Sequence, residues 1–436
     1  MVTADEGRSR RRFWSVLGLI VLGALVLRVG YVVLVKRSET GSDFLHHGGD
    51  QIYYSAQANT LARGGGFTDP RDGSQEAQHP PLTALALTPT SWVMEQFDPG
   101  TRHLLAQRLT MAVFGAAVVL LIGLIGRRVA GDRAGWLAAG IAALYPNLWI
   151  NDGLIMSETL AALAVALAIL LAYRFGRSPT WSNAAWLGAA CGLAMLVRAE
   201  LGLLIPIMVL PVALFASALS VVRRLLFVAT ACAIAGLVVS PWLVANLTRF
   251  DEPVLFSTND GLTLCGANLP RTYYGQGTGL WALDCIAFPV PKGDRSVVSN
   301  QLRRDGLHFI REHLGRLPVV MAVRVARVWS LYAPGHMASY NRNEGRALWA
   351  SWLGFASFWL VVPFAVYGAV LLRRRRVPIT PLVAQFVLVT VTAALIYGIV
   401  RFRVPAEVSL VVLAAVAVDG LRAARARRRL GAQASA

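Results

Sequence analysis

Ten apolar stretches dominate this chain, at 14–35, 104–126, 134–151, 157–175, 184–198, 201–221, 225–247, 349–372, 380–400 and 404–422. A helix crosses the hydrocarbon of a bilayer with about 20 apolar residues, and only helices or closed barrels satisfy their backbone there. Alternation with period two is missing, so the stretches read as helices. Only 15% of the 436 residues are charged, against about a quarter in a soluble domain. The expected fold is an all-α polytopic membrane protein of about ten transmembrane helices.

The net charge of +18 invites a nucleic-acid reading, and its distribution excludes one. Arginines sit in short strings between apolar blocks: "RSRRR" at 8–12, "GRR" at 126–128, "RR" at 223–224, "RRRR" at 373–376 and "RARRR" at 425–429. That is how cytoplasmic loop ends look under the positive-inside rule, and such a surface faces anionic lipid. With the N-terminus inside, every one of these clusters falls on the cytoplasmic side. No small-residue cleavage site follows the first block, so it reads as a retained span. Segment 317–334 is apolar too, but Arg324 and Arg327 lie mid-run. As a span it would bury them in lipid and turn "RRRR" outward, so it reads as an amphipathic interfacial helix.

The chain therefore divides into a cytoplasmic N-terminus with the first span (1–35), a first extracytoplasmic loop (36–103), spans two to seven (104–247), a second loop with the interfacial helix (248–348), spans eight to ten (349–422) and a basic tail (423–436). Long loops on a rigid scaffold are where function concentrates. Cys265 and Cys285 both fall in the second loop, in a compartment that permits disulfides, and are expected to be bonded. Cys191 and Cys232 lie in spans.

The polar residues near the outer surface form the candidate site. Asp50 follows "GG" and opens the helical stretch "QIYYSAQANTLA", where an Asp also serves as an N-cap. Tyr53 and Tyr54 fall on its first turn, as sugar or acceptor contacts or as part of an aromatic belt. In "QHPPL", His79 precedes two prolines that start a helix, facing a phosphate or metal. The turn "NDGLIMSETL" brings Asp152 and Glu158 to the same side, with Ser157 as a candidate cap. Arg198 and Glu200 mark another outer turn, and Arg401, Arg403 and Glu407 mark a third. Arginines outside break the inside bias, and their planar donors suit a phosphate. Acids, arginines and a histidine over an apolar bundle suit a substrate with a lipid tail, a phosphate and a polar head. No Walker motif, G-x-S-x-G, HExxH or CxxC pair occurs.

Several pieces together resemble the GT-C integral-membrane glycosyltransferases, within them the bacterial branch related to protein O-mannosyltransferases and the lipid A aminoarabinose transferase. They are "GGDQIYYSAQANTLARGGGF", "HPPLTALAL", "GRRVAGDRAGWLAAGIAALYPNLWINDGLIMSETL", "GLAMLVRAELGLLIPI" and "RFRVPAEVSLVVLAA". The resemblance implies an enzyme of the bacterial plasma membrane whose site faces outward. It would take a sugar from a polyprenyl-phosphate donor to an acceptor in the cell envelope, with inversion. Asp50 would be the general base and Glu158 the second acid, orienting the acceptor or holding a divalent cation. His79, Arg198, Arg401 and Arg403 would hold the donor phosphate. His79 stands where relatives often carry Lys or Arg. The competing reading is a lipid or glycolipid transporter. Paired repeats and mid-bilayer charges would favour it, and neither is evident.

Overall fold

A computed structural model describes residues 4–37, 44, 49–97, 103–215, 219–286 and 293–434. Each of the ten apolar stretches is helical over most of its described residues. Six helices are long and apolar enough to cross a membrane: Arg10–Lys36, His103–Ala130, Ser157–Arg177, Val221–Arg249, Leu348–Arg374 and Val400–Arg427. Trp181–Val197, Ala199–Leu214 and Thr380–Leu395 are shorter apolar helices. The expected third span is Asp132–Leu144 followed by a separate turn, Pro146–Trp149. The break has a local cause, because Pro146 cannot continue the preceding helix and pushes Tyr145 into extended backbone. Among the described residues there is no strand, only an isolated bridge between Thr68 and Gln75.

Burial ranks the helices. The most apolar window of Val400–Arg427 is 83% buried, against 28% for Arg10–Lys36, Val221–Arg249 and Leu348–Arg374. The last helix is therefore the axis of the bundle, and its uniformly apolar stretch Leu410–Ala417 has neighbours on every side. Lipid offers no hydrophobic drive between helices, so close contact depends on small residues. Gly188 and Gly192, four apart, let Trp181–Val197 lie against Val221–Arg249. A Cβ on Gly188 would stand 2.3 Å from the Ala231 carbonyl oxygen, and one on Gly192 would stand 2.8 Å from Val238.

Segment 248–348 forms a cap of short helices, Asp260–Ala267, Arg295–Glu312, Leu317–Val328 and Pro334–Arg342. Arg324 and Arg327, the residues that argued against a span at 317–334, are buried. Each donates to backbone oxygens of the cap: Arg324 to Ala267 at 2.6 Å, and Arg327 to Thr278 and Gln276 at 2.7 Å each. They clamp the cap to its last-but-one helix. Within the cap the Cys265 and Cys285 thiols face one another as a hydrogen-bonded pair of free thiols.

Candidate active site

Gly49, not Asp50, ends the chain's approach to helix Asp50–Ala62. It adopts φ +52°, and a side chain on it would collide with Glu344. Asp50 is the first residue of the helix and not its N-cap, and its carboxylate is turned to the site. His79 comes from the turn before Leu82–Phe97. Glu158 occupies the first turn of Ser157–Arg177, where the N-terminal helix dipole favours an acid. Ser157 does not cap that helix; it lines the cavity beside Tyr54. Arg198 stands at the break after Trp181–Val197 and Arg401 in the 3-10 turn Val400–Arg403.

These groups converge on one guanidinium. Arg401 donates through Nη2 to Asp50 Oδ2 at 2.9 Å, through Nε to Glu158 Oε1 at 2.6 Å, and through Nη1 to Glu344 Oε1 at 2.9 Å. Arg198 bridges Glu158 Oε1 at 3.1 Å and Glu200 Oε1 at 2.6 Å, and lies over the Phe402 ring. His79 Nε2 is 3.4 Å from Asp50 Oδ1, an ion-pair contact longer than a well-formed hydrogen bond. The imidazole stacks on Tyr54 with centroids 5.1 Å apart. Asp50, Tyr54, His79, Arg198, Glu344 and Arg401 line a cavity of about 430 Å³ whose other wall is the cap. That is the size of a small-molecule site.

Two of the carboxyls that line the cavity, Asp50 and Glu344, are driven in opposite directions. Burial opposes ionisation of Asp50, but the positive charges of His79 and Arg401 outweigh it and hold the carboxyl far below its ordinary range. Burial pushes Glu344 up; Arg401 opposes the rise, and repulsion from Asp50 and Glu158 supports it. Asp50 is thus a fixed anion, and Glu344 is the carboxyl most ready to carry a proton.

Residues 78–244 match the model of the dolichyl-phosphate-mannose-protein mannosyltransferase family. No curated protein sequence matches the chain. Among solved structures it is similar to the oligosaccharyltransferase AglB of Archaeoglobus fulgidus, in complex with an inhibitory peptide and a dolichol-phosphate. That likeness has a TM-score of 0.57 at 17% identity and covers 97% of this chain and 52% of AglB. The likeness shows that the two share a fold over the matched part. A second structure of the A. fulgidus enzyme, with Zn and sulfate, gives TM-score 0.55 at 15% identity over 92% of this chain and 49% of that one. ArnT of Cupriavidus metallidurans bound to undecaprenyl phosphate gives TM-score 0.43 at 18% identity, over 92% and 77%. This chain spans about half the length of AglB.

The fold brings Asp50, Glu158, His79, Arg198, Arg401 and Tyr54 together, and the family match at 78–244 holds three of them. It leaves out three other candidates. Arg403, two residues past Arg401, turns away from the cavity, since a 3-10 helix carries residues two apart on different faces. It is buried against Glu407, Ser330 and the Phe358 ring. Asp152 is buried in a pair with Arg28 at 2.6 Å and with Thr159 at 2.7 Å. Tyr53 is packed behind Tyr54 and His79, off the cavity wall.

Glu344 is the site residue that sequence reasoning missed. It lies in "NRNEGRA", which carries no pattern, and only the tertiary fold brings it to Arg401. Its backbone is anchored on both sides: Gln51 Nε2 donates to the Glu344 carbonyl at 3.3 Å, and Lys36 Nζ to that of Gly345 at 2.6 Å. Arg346 donates to Asn147 Oδ1 at 2.7 Å.

A divalent cation on Glu158 does not fit this arrangement. The Glu158 oxygen that faces the site already accepts from Arg198 and Arg401, and the Arg401 guanidinium fills the space among Asp50, Glu158 and Glu344. Among the described residues no group of three His, Cys, Asp or Glu side chains is disposed to hold a metal.

Proposed function

We propose that this protein transfers a sugar from a polyprenyl-phosphate donor to a cell-envelope acceptor at the outer face of a bacterial plasma membrane, inverting the anomeric centre, with Asp50 as the general base. The fold and the family match over 78–244 support a sugar transferase. The observation that carries the reading is the Asp50 carboxylate, ionised on a cavity wall and held by Arg401.

Asp50 would accept the proton of the acceptor hydroxyl as its oxygen bonds to the anomeric carbon. The bond from that carbon to the phosphate oxygen breaks on the opposite face, and the phosphate leaves with the electron pair. Arg401 and Arg198 stabilise the charge it gains. A carboxylate held this far below its ordinary range is a weak base, so the resting pair must loosen. Three of the five Arg401 N–H donors are engaged, and a donor phosphate that takes up the guanidinium draws its charge away from the carboxylate it meets first. Glu158 is 3% exposed, Glu344 18% and Asp50 26%, so Asp50 is the partner a ligand reaches most readily. Donor binding thereby raises the basicity of Asp50 when the acceptor arrives. The charge pairing of His79 with Asp50 keeps the carboxylate aimed at the cavity.

Asp50→Asn keeps the size and removes the basicity. Transfer from a polyprenyl-phosphate sugar in liposomes is expected to fall by about 100-fold or more, with insertion intact. Near-normal turnover would remove Asp50 as the base.

A further inference from the structure

The cavity has a second wall that the transfer chemistry leaves unused. Trp281 from the cap and Tyr397 from the end of helix Thr380–Leu395 both line it, with ring centroids 6.3 Å apart and planes 33° from parallel. The Trp281 ring is held from behind. Its Nε1 donates to the Leu262 carbonyl at 3.2 Å, and its own carbonyl accepts from Tyr340 Oη at 3.3 Å. Gly266 gives the indole room, since a Cβ there would lie 2.4 Å from Nε1. Tyr397 is backed by Phe402 at 4.9 Å. Indole and phenol together make a fixed aromatic surface rather than two mobile side chains.

Polar groups rim that surface. Asn259 and Thr263, at the start of helix Asp260–Ala267, line the cavity. Among the described residues, the Asn259 amide, the Thr263 hydroxyl and the Tyr397 hydroxyl make no side-chain hydrogen bond within the protein. An apolar face edged by unused donors and acceptors matches a pyranose, which presents C–H bonds on its faces and hydroxyls around its rim. A lipid tail would leave the rim without partners.

We infer that Trp281, Tyr397, Asn259 and Thr263 form a carbohydrate subsite, and that the acceptor is a saccharide whose hydroxyl is presented to Asp50 from the cap side. The assignment of this saccharide as acceptor rests on the transferase reading; the subsite itself stands on its own geometry. The aromatic wall sets acceptor specificity, while Arg401 and Arg198 take the donor phosphate.

The full chain in detergent is titrated with methyl glycosides of mannose, glucose and arabinose by isothermal calorimetry, and separately with undecaprenyl phosphate. The expected result is saturable binding of at least one glycoside. Trp281→Ala weakens it by about 10-fold or more, Trp281→Phe by less, and Asn259→Ala weakens it too, with undecaprenyl phosphate affinity unchanged in all three. Should Trp281→Ala fail to fold, Trp281→Phe and Asn259→Ala decide. No glycoside binding, binding indifferent to these changes, or displacement of the glycoside by a Ser/Thr-containing peptide overturns the subsite. A wild-type protein that binds glycosides at this wall and ignores undecaprenyl phosphate overturns the transferase reading and leaves the subsite standing.

Discussion

Replacing Arg401 by Gln tests the arrangement at its centre. The change removes one positive charge from among three carboxylates and keeps most of the side-chain volume. Glu158, 3% exposed, loses a 2.6 Å partner and keeps only Arg198; Asp50 and Glu344 each lose a 2.9 Å partner. Breaking a buried pair by removing one member costs about 3–5 kcal/mol, because the remaining charge stays desolvated. The loss has a pH signature. In the native protein Asp50 is held below its ordinary range, so it contributes stability above about pH 4, lost as the pH falls towards its folded value. In the variant that contribution disappears, and protonation becomes the cheapest relief for Asp50 and Glu344. The deficit should approach about 3–5 kcal/mol at pH 7.5 and be smaller near pH 3, below the ordinary carboxylate range, where the wild-type contribution of Asp50 is being lost. Unfolding in mixed micelles at the two pH values, wild type beside variant, measures it. An equal deficit at both would show that Arg401 acts through packing and not through charge. A stable variant at pH 7.5 would refute the cluster itself.

Glu344→Gln keeps the anchored loop but weakens the third bond to Arg401, and transfer should fall by about 10- to 100-fold for a lost charged hydrogen bond, with melting unchanged; wild-type turnover would separate Glu344 from the reaction. Turnover should persist after exhaustive chelation, because a guanidinium fills the space among the acids, and activity lost to a chelator and restored by Mg²⁺ or Mn²⁺ would contradict that. Cys265 and Cys285 should be joined in protein exported to an oxidising compartment, since their thiols already touch; a non-reducing peptide map with both thiols free would end the pairing.

What the sequence determined follows from rules that act locally or on whole segments. Apolar run length required helices, because lipid satisfies no backbone group, and every stretch marked as a span is helical over most of its described residues. The proximity of Asp50, His79, Glu158, Arg198 and Arg401 was also legible, since each stands beside the end of an apolar block and such ends share a surface. The tertiary structure decided which neighbours turn inward. Arg401 and Arg403 are two residues apart and equivalent as composition, but a 3-10 turn sends one into the cavity and buries the other against Glu407. Asp152 and Glu158 share one short turn, yet Arg28 from the first helix claims Asp152. Glu344 and Trp281 sit in a cap whose course depends on contacts far apart in sequence, such as Arg324 with Ala267 and Lys36 with Gly345. A side chain's partner across such distances is a property of the packed bundle, and no local pattern encodes it.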